Sequence, residues 1–433
     1  MESAVAGDDD AIEDDRLYRK VGWRLIPFLM TCYAVAYLDR VNIGFAKLGM
    51  SVDLGFSEAM YGLGAGIFFI GYFLFEVPSN AILHRVGARV WIARIMISWA
   101  IVSGACALIA GPVSFYVARF LLGIAEAGFF PGIILFLTYW FPASRRGQIV
   151  ALFMIAIPIA GLVGAPVSGA VMQWSDGAFG WAGWRWMFVI EAVPALLLGL
   201  MVPFVLDSRV EQARWLTGAE KRRIAAAVAA DTAPGAIVHA GLRDLLTDRR
   251  ILLFGLIYFC CIMGQYGITF WLPTIVAGAS KGSALAVGLY SALPYAVAIV
   301  AMIATCRHSD RTRERRWHLM LPLILGGFGL ALAPLAGTSI ALSMALLCLA
   351  AAATLTATPM FWTLPTSVLS GSAAAIGIAA INSVGNLAGF ASPLLVGWVT
   401  DATHAIEGGM LLLTVALWTG AGLVYRATRP SSV

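Results

Sequence analysis

Five ionisable side chains interrupt stretches that are otherwise apolar: Asp39, Arg40, Glu76, Arg119 and Glu126. A charge at the centre of a bilayer costs at least ~2.5–3.5 kcal/mol, so each one needs a partner or a task. Arginine stays protonated at every accessible pH, and its planar fork fits a carboxylate bidentately. A buried glutamate can titrate, because burial favours its neutral form and a nearby arginine its charged form. Arg119 and Glu126 are seven residues apart, two helical turns, and so share a face about 10.5 Å apart along the axis. Their long side chains can lean toward each other. Asp39 and Arg40 are adjacent and point about 100° apart, so they cannot face the same partner. One is expected to line a cavity and the other to pair with a neighbouring helix. Two buried arginines without matching carboxylates would be costly unless an anion completes them. The chemistry on offer is therefore anion capture by Arg40 and Arg119, and proton carriage by Glu126. The competing reading makes these pairs interhelical staples or gate latches. Glu76, next to Pro78 and near one end of its stretch, fits a structural or gating role better.

Polar side chains lie on the same or facing stretches. Tyr37 is one turn before Arg40, and Tyr72 is one turn before Glu76. Each hydroxyl can serve a carboxylate or a hydroxy acid, or simply pack. Gln265 and Tyr266 precede the Trp271–Pro273 turn, where a proline removes one backbone hydrogen bond. Trp362 stands between Pro359 and Pro365, and Asn382 and Asn386 share one helical face. Buried amides need hydrogen-bond partners, and either interhelical bonding or ligand contact would supply them.

The elements that hold these residues follow from composition. Of 433 residues, 60% are hydrophobic and 12% charged, and the mean hydropathy is +0.84. Soluble domains average roughly 45–50% apolar and 25% charged. The expectation is an all-α membrane protein whose bilayer replaces a single large core. Stretches of about 20 apolar residues fall near 22–46, 59–82, 91–110, 114–138, 149–172, 187–207, 250–276, 284–305, 318–336, 340–362, 375–399 and 409–426. That gives 12 transmembrane helices in two pseudo-symmetric six-helix bundles, 16–207 and 250–426. Between them, 208–249 is a basic linker with an Ala-rich helical piece at 224–230. Residues 1–15, rich in Asp and Glu and without a signal-peptide pattern, are expected to form a disordered acidic tail, and 427–433 a short C-terminal one.

With both termini cytoplasmic, the external loops retain only Lys47, Arg185 and Lys281 among the 29 basic residues; apart from Arg40 and Arg119 the others fall inside. This obeys the positive-inside rule. Trp174, Trp181, Trp184 and Trp186 suit an interfacial aromatic belt. A faint internal repeat relates HRVGAR at His84 to DRTRER at Asp310, and AGLVGAPVSG around Pro166 to AGFASPLLVG around Pro393. Related halves are a transporter architecture, with the substrate held between them near the midplane. The net charge of +5 is a matter of this topology and does not point to nucleic acid. Six cysteines sit in or beside apolar stretches without metal spacing. The five histidines are scattered and no nucleophile–base constellation is visible, so an enzyme is not expected.

Several longer segments carry a resemblance. They are RLYRKVGWRLIPF, LDRVNIGFAKLGM, FFIGYFLFEVPSN, HRVGAR, GIAEAGFFPG, YWFPASRRGQ and GWRWMFVIEAVPA, then FWLPTIV and FWTLPTSVLSGSAAAIGIAAINSVGNLAGFASP. In number, order and spacing the chain resembles the major facilitator superfamily over nearly all of 16–428. Within it, the chain is similar to the anion:cation symporters that carry tartrate, sugar acids or phthalate-type aromatic acids. The resemblance implies the major facilitator fold, substrate carboxylate grip by Arg40 and Arg119, and proton uptake by Glu126 linked to Asp39. It also implies substrate contacts from Tyr72 and Asn382. Two departures stand out: Asn80 and His84 occupy loop positions where the superfamily usually has Gly and Asp. That puts the tuning of the loop's latch in doubt, and His84 offers it pH sensitivity. Pro158, with no amide in the fifth span, favours a smaller or more aromatic acid over a heavily hydroxylated one.

The expected function is import of a small organic acid anion by proton symport with alternating access, in a cell (inner) membrane, by a monomer without cofactors. An inside-negative potential opposes anion entry by about 2.3 kcal/mol per charge per 100 mV, and co-moved protons reverse that. The alternatives are an exchanger or exporter of an amphipathic compound, and a membrane receptor that binds an acid without moving it.

Overall fold

A computed structural model of the chain describes residues 2–231, 248–280, 282–336, 339–368 and 371–428. Within these, the side chains of 2–12, 143–144, 147–148, 150–151, 231, 335, 366–368, 371–376 and 379 are not described. The described chain is all α-helical. In order it runs α1 (Glu2–Leu54), α2 (Glu58–Val86), α3 (Ala88–Ala105), α4 (Pro112–Glu126), α5 (Phe129–Thr138), α6 (Ala143–Met154), α7 (Ala156–Trp174) and α8 (Gly183–Val205). It continues with α9 (Gly218–Asp231), α10 (Arg249–Ser280), α11 (Ala284–Thr312), α12 (Arg316–Leu332), α13 (Ile340–Val368), α14 (Gly371–Thr403) and α15 (Ile406–Ala427).

Among the described residues, ten spans are long and apolar enough to cross a membrane. They are α1, α2, α3, α4 with α5, the end of α6 with α7, α8, α10, α11, α13 and α15. Twelve were expected from the sequence. Of the other two, α12 has only 17 residues, and α14 begins among side chains that are not described.

At the N-terminus the backbone is helical from Glu2, continuous with α1. The acidic residues at its end find cationic partners: Asp15 pairs with Arg145 at 2.5 Å, and Glu13 and Asp14 both pair with Arg223 at 2.5 Å. The linker holds the expected helix, α9, started by a reciprocal cap in which Thr217 Oγ1 accepts from the Glu220 amide and Glu220 Oε2 from the Thr217 amide. Residues 232–247 of the linker and 429–433 of the C-terminal tail lie outside the described residues.

Two helix pairs pack nearly backbone to backbone. A Cβ on Gly62 of α2 would collide with the Pro393 carbonyl of α14, and one on Gly397 with the Glu58 carbonyl. Likewise Gly169 of α7 abuts the Ala284 carbonyl of α11, and Gly288 the Ala165 carbonyl. Small residues at such crossings are how helices associate in lipid, where no hydrophobic force separates them from solvent. Asp401, near the end of α14, caps α2 by accepting from the Glu58 and Ala59 amides at 3.0 and 2.8 Å. Trp184 is fully buried and donates to Asp53 at 2.7 Å, so it does not belong to the expected aromatic belt. Trp174 is exposed, as a belt residue should be.

Candidate functional site

Three helices build the charged cluster. On α4, Arg119 and Glu126 are both buried on the face expected of two residues two turns apart. The helix stops directly after Glu126 because Gly128 takes φ +85, a left-handed turn that a side chain would strain. A Cβ there would also strike Ser79 of α2. Upstream, Gly123 lets α4 touch the Phe68 carbonyl of α2. That contact brings the α2 aromatics beneath both arginines: Phe68 lies 5.4 Å from the Arg40 guanidinium carbon and 5.0 Å from that of Arg119. Tyr72 lies 5.4 Å from Arg40. Such cation–π contacts favour each cation by roughly 0.5–2 kcal/mol.

The pairing differs from the one the spacing on α4 suggested. Glu126 forms its ion pair with Arg40 of α1, through Oε1 and Nη2, and not with Arg119. The reason is geometric. Residues two turns apart on one helix must reach along the axis, whereas Arg40 projects across the α1–α4 gap directly at the carboxylate. Arg119 is 1% exposed, and none of its three guanidinium nitrogens has a hydrogen-bond partner among the described residues. Its electrostatic neighbours are Cys106, Tyr61, Glu126 and Asp39.

Asp39 turns away from Arg40, as neighbours on a helix must. It faces α3, where Ser103 donates to Oδ1 at 2.9 Å and the Trp99 indole donates to Oδ2. Asn42 adds a bond to Oδ1 at 3.3 Å. Tyr37 does not join Arg40 either. Its hydroxyl accepts from Gln265 Nε2 of α10 at 3.1 Å, and Gln265 Oε1 accepts from Thr358 of α13 at 2.7 Å. The result is a buried polar line from α1 through α10 to α13. Trp362 packs its ring against Tyr258 at 4.9 Å rather than against the arginines. On α14, Asn386 lies within reach of the Glu76 carboxyl, and Asn382 is half-buried one turn earlier. Arg40, Tyr72, Glu126 and Arg119 are therefore brought together, whereas Tyr37, Gln265, Trp362 and Asn386 bond or pack against other residues.

Two buried charges escaped the sequence reading. Lys47, assigned to a loop, is 4% exposed within α1. It sits two turns from Arg40, so continuing the helical register past residue 46 would have found it. Glu191, inside the expected sixth span, is 2% exposed and accepts from Ser168 at 2.7 Å. A carboxylate in an apolar window was signal enough. A cavity of about 770 Å³ lies away from the cluster. It is an apolar groove on the outer faces of α1 and α7, lined by residues such as Trp23, Ile26 and Val163.

Apolar helices thus bury an ion pair, Arg40 with Glu126, beside a second arginine whose guanidinium has no hydrogen bond among the described residues. The chain belongs to the Major Facilitator Superfamily, whose family model matches residues 29–393. A protein of Agrobacterium vitis that carries the name of a tartrate transporter is 47% identical over 427 residues, covering 98% of this chain and 94% of that one. A quinolone resistance transporter of Acinetobacter baumannii is 40% identical over 408 residues, 94% of each chain. The crystal structure of a bacterial homologue of the human lysosomal transporter Spinster, inward-facing and unoccupied, matches the fold with a TM-score of 0.77 at 18% identity. The match covers 96% of this chain and 99% of that one. The protein is thus a multi-pass membrane transporter of this superfamily, related to carriers of organic acids.

Proposed function

We propose that the protein imports a small organic acid anion by proton symport, with Arg119 and Arg40 as the carboxylate grip and Glu126 as the proton carrier. One observation carries this reading: Arg119 is fully buried with all three nitrogens unsatisfied among the described residues. A guanidinium in that condition is costly, and a carboxylate supplies both charge and paired acceptors. Glu126 meanwhile occupies Arg40. Protonating Glu126 releases Arg40, so that a second carboxylate or a hydroxyl can take its place. Proton and substrate binding are coupled because they act on the same guanidinium. Tyr72 stacks beside Arg40, within reach of a bound acid. Asp39 is the further proton site.

In this reading α12 and α14 complete twelve crossings in two six-helix bundles, 16–207 and 250–426, with the linker 208–249 and both termini in the cytoplasm of an inner membrane. The end carrying Lys47, Glu58 and Asp401 then faces outward. The tight α2–α14 and α7–α11 crossings close that end, and the halves rock about the central cluster. Gln265, Tyr37, Trp362, Asn382 and Asn386 complete the substrate surroundings. The unit is a monomer and the coupling ion is H+.

Uptake of labelled tartrate and of a panel of aromatic and sugar acids into proteoliposomes, with and without an imposed pH gradient, tests the proposal. Gradient-driven accumulation is expected for at least one acid. Glu126→Gln should abolish accumulation and keep exchange of labelled for unlabelled acid. Uptake indifferent to the gradient removes the symport claim. The likeness to a quinolone resistance transporter supports one other reading, export of an amphipathic compound. Gradient-driven efflux of a fluoroquinolone from the same vesicles, with no response to any acid, would select it.

A further inference from the structure

The apolar groove on the outer faces of α1 and α7 takes no part in the scheme above. Its walls include Trp23, Met30 and Ala34 of α1, Leu152 of α6, and Ile159 and Val163 of α7. Trp23, Leu152 and Val163 are 76%, 45% and 57% exposed, so broad apolar surface stays open along two apolar spans. The groove turns away from the transport site. Thr31 and Leu38, both in its lining, lie about 180° and 160° around α1 from Arg40. On α7, Val163 points about 160° away from Gly161, which touches Tyr295 of α11.

The groove owes depth to a glycine that packing does not require. Glycine disfavours a helix interior. Gly123 and Gly164 need it, because a Cβ there would strike a neighbouring helix. A Cβ on Gly22, in the groove lining, would meet nothing within 4 Å. At the far end Leu38 closes the groove by packing on Gly164. From Trp23 to Ala34 the helix rises about 16 Å, roughly half of the ~30 Å hydrocarbon core, or one leaflet. An acyl chain fits that length and that apolar lining.

Charge at the mouth says which lipid. Arg19 is the one charged residue in the lining among the described residues, and it lies one turn before Trp23. The acids at this end of α1 are matched within the chain: Asp15 by Arg145, and Glu13 and Asp14 by Arg223. Lys20 is matched by Glu220. Arg16, Arg19 and Arg24 stay exposed and leave the mouth positive. An arginine fork takes a phosphate through two parallel hydrogen bonds, and a basic pocket between spans at the cytoplasmic face suits an anionic headgroup. We propose that the α1–α7 groove is a binding site for one anionic phospholipid, with its phosphate on Arg19 and an acyl chain running past Gly22 toward Leu38. Only its assignment to the cytoplasmic leaflet rests on the topology proposed above.

Lipids with brominated acyl chains quench the tryptophans they touch. With the full chain purified in mild detergent, the difference between wild type and Trp23→Phe isolates Trp23. Brominated phosphatidylglycerol should quench it at a concentration about five-fold below that needed with brominated phosphatidylcholine, the share of one arginine. Arg19→Gln should erase this preference. Gly22→Leu, whose side chain fills the groove, should weaken quenching by both lipids. Equal quenching of wild type by the two lipids would mark an ordinary boundary lipid and overturn the proposal. So would a preference that ignores both substitutions. Loss of the preference in millimolar inorganic phosphate would make Arg19 a plain anion site and overturn it too. The wild-type comparison stands even if a variant fails to fold. Because binding is read without transport, a failed uptake experiment leaves this result untouched.

Discussion

Two of the three cations buried among the described residues, Lys47 and Arg119, are treated in opposite ways. Lys47 is surrounded by complements: Glu58 at 2.5 Å, Thr274 at 3.2 Å, and the rings of Trp271 and Tyr61 at 4.1 and 5.1 Å. These come from α2 and α10, so the ammonium on α1 ties three helices at one end of the bundle. Arg119 is as deeply buried, yet it has one aromatic face and no hydrogen bond among the described residues. The contrast separates two uses of a buried charge. One whose desolvation is offset within the chain fastens the structure. One left short of partners is free, on the function proposed above, to be completed by a carboxylate that arrives.

The largest effects should come from Arg119. Arg119→Ala should weaken carboxylate binding by about 2–5 kcal/mol, roughly thirty- to several-thousand-fold in Kd. Arg119→Lys should recover only part of this, because an ammonium cannot offer two parallel bonds. Without ligand, Arg119→Leu should melt at a higher temperature than wild type, since it removes an uncompensated buried charge. Thermal shift with and without the transported acid reads both effects. A destabilised Arg119→Leu that binds acid normally would erase the distinction from Lys47.

Lys47→Met should do the reverse. Substrate affinity changes little at the central cluster, but stability falls by about 1.5–3 kcal/mol as Glu58 and Thr274 lose a charged partner. If this end is the outer gate, cysteine labelling at Thr274 from outside should rise in a Lys47→Met background. Unchanged labelling and stability would make the Lys47 contacts ornamental to closure. A smaller effect belongs to the neutral line. Gln265→Leu removes the partner of the Thr358 hydroxyl and leaves Tyr37 only the Thr269 hydroxyl at 3.5 Å, and should cost about 1–2 kcal/mol in melting experiments. Tyr37→Phe should cost less, because Gln265 keeps Thr358.

The contrast also marks what the sequence disclosed. Charges in apolar windows are visible by type and position, so Arg40, Arg119, Glu126 and Asp39 stood out, as did the helical class. Partnership was not visible. Spacing on α4 favoured Arg119 with Glu126, but the partner comes from α1, 86 residues away. Periodicity reports which face of a helix a residue occupies and says nothing of which helix meets that face. The divergence of Asp39 from Arg40 was legible because it depends only on geometry within one helix. Tyr37 failed for the opposite reason: it shares a helical stripe with Arg40, yet α10 supplies a nearer partner in Gln265. Lys47 was lost to a boundary set eight residues short of the end of α1 at Leu54.

An exposed matched pair gives the lower limit of the comparison. Lys20 of α1 bonds Glu220 of α9 at 2.8 Å, outside the apolar windows, with the lysine side chain 45% exposed. The Lys20 ammonium and the Thr217 amide hold the Glu220 carboxyl below its ordinary value of 4.5. A depressed carboxylate contributes stability that is complete above its unfolded value and lost as pH falls through the folded one. Water and salt screen this pair, so its contribution stays below about 1 kcal/mol. Glu220→Gln keeps the helix cap, since glutamine also accepts from the Thr217 amide, and removes only the charge. The variant should therefore melt slightly below wild type at pH 7. That gap should close on acidification below about pH 4, and again in molar salt. A gap that survives both would mean the tie between α1 and the linker helix is held by packing. Matched charge would then matter in this protein only where lipid and neighbouring helices exclude water, as they do at Lys47.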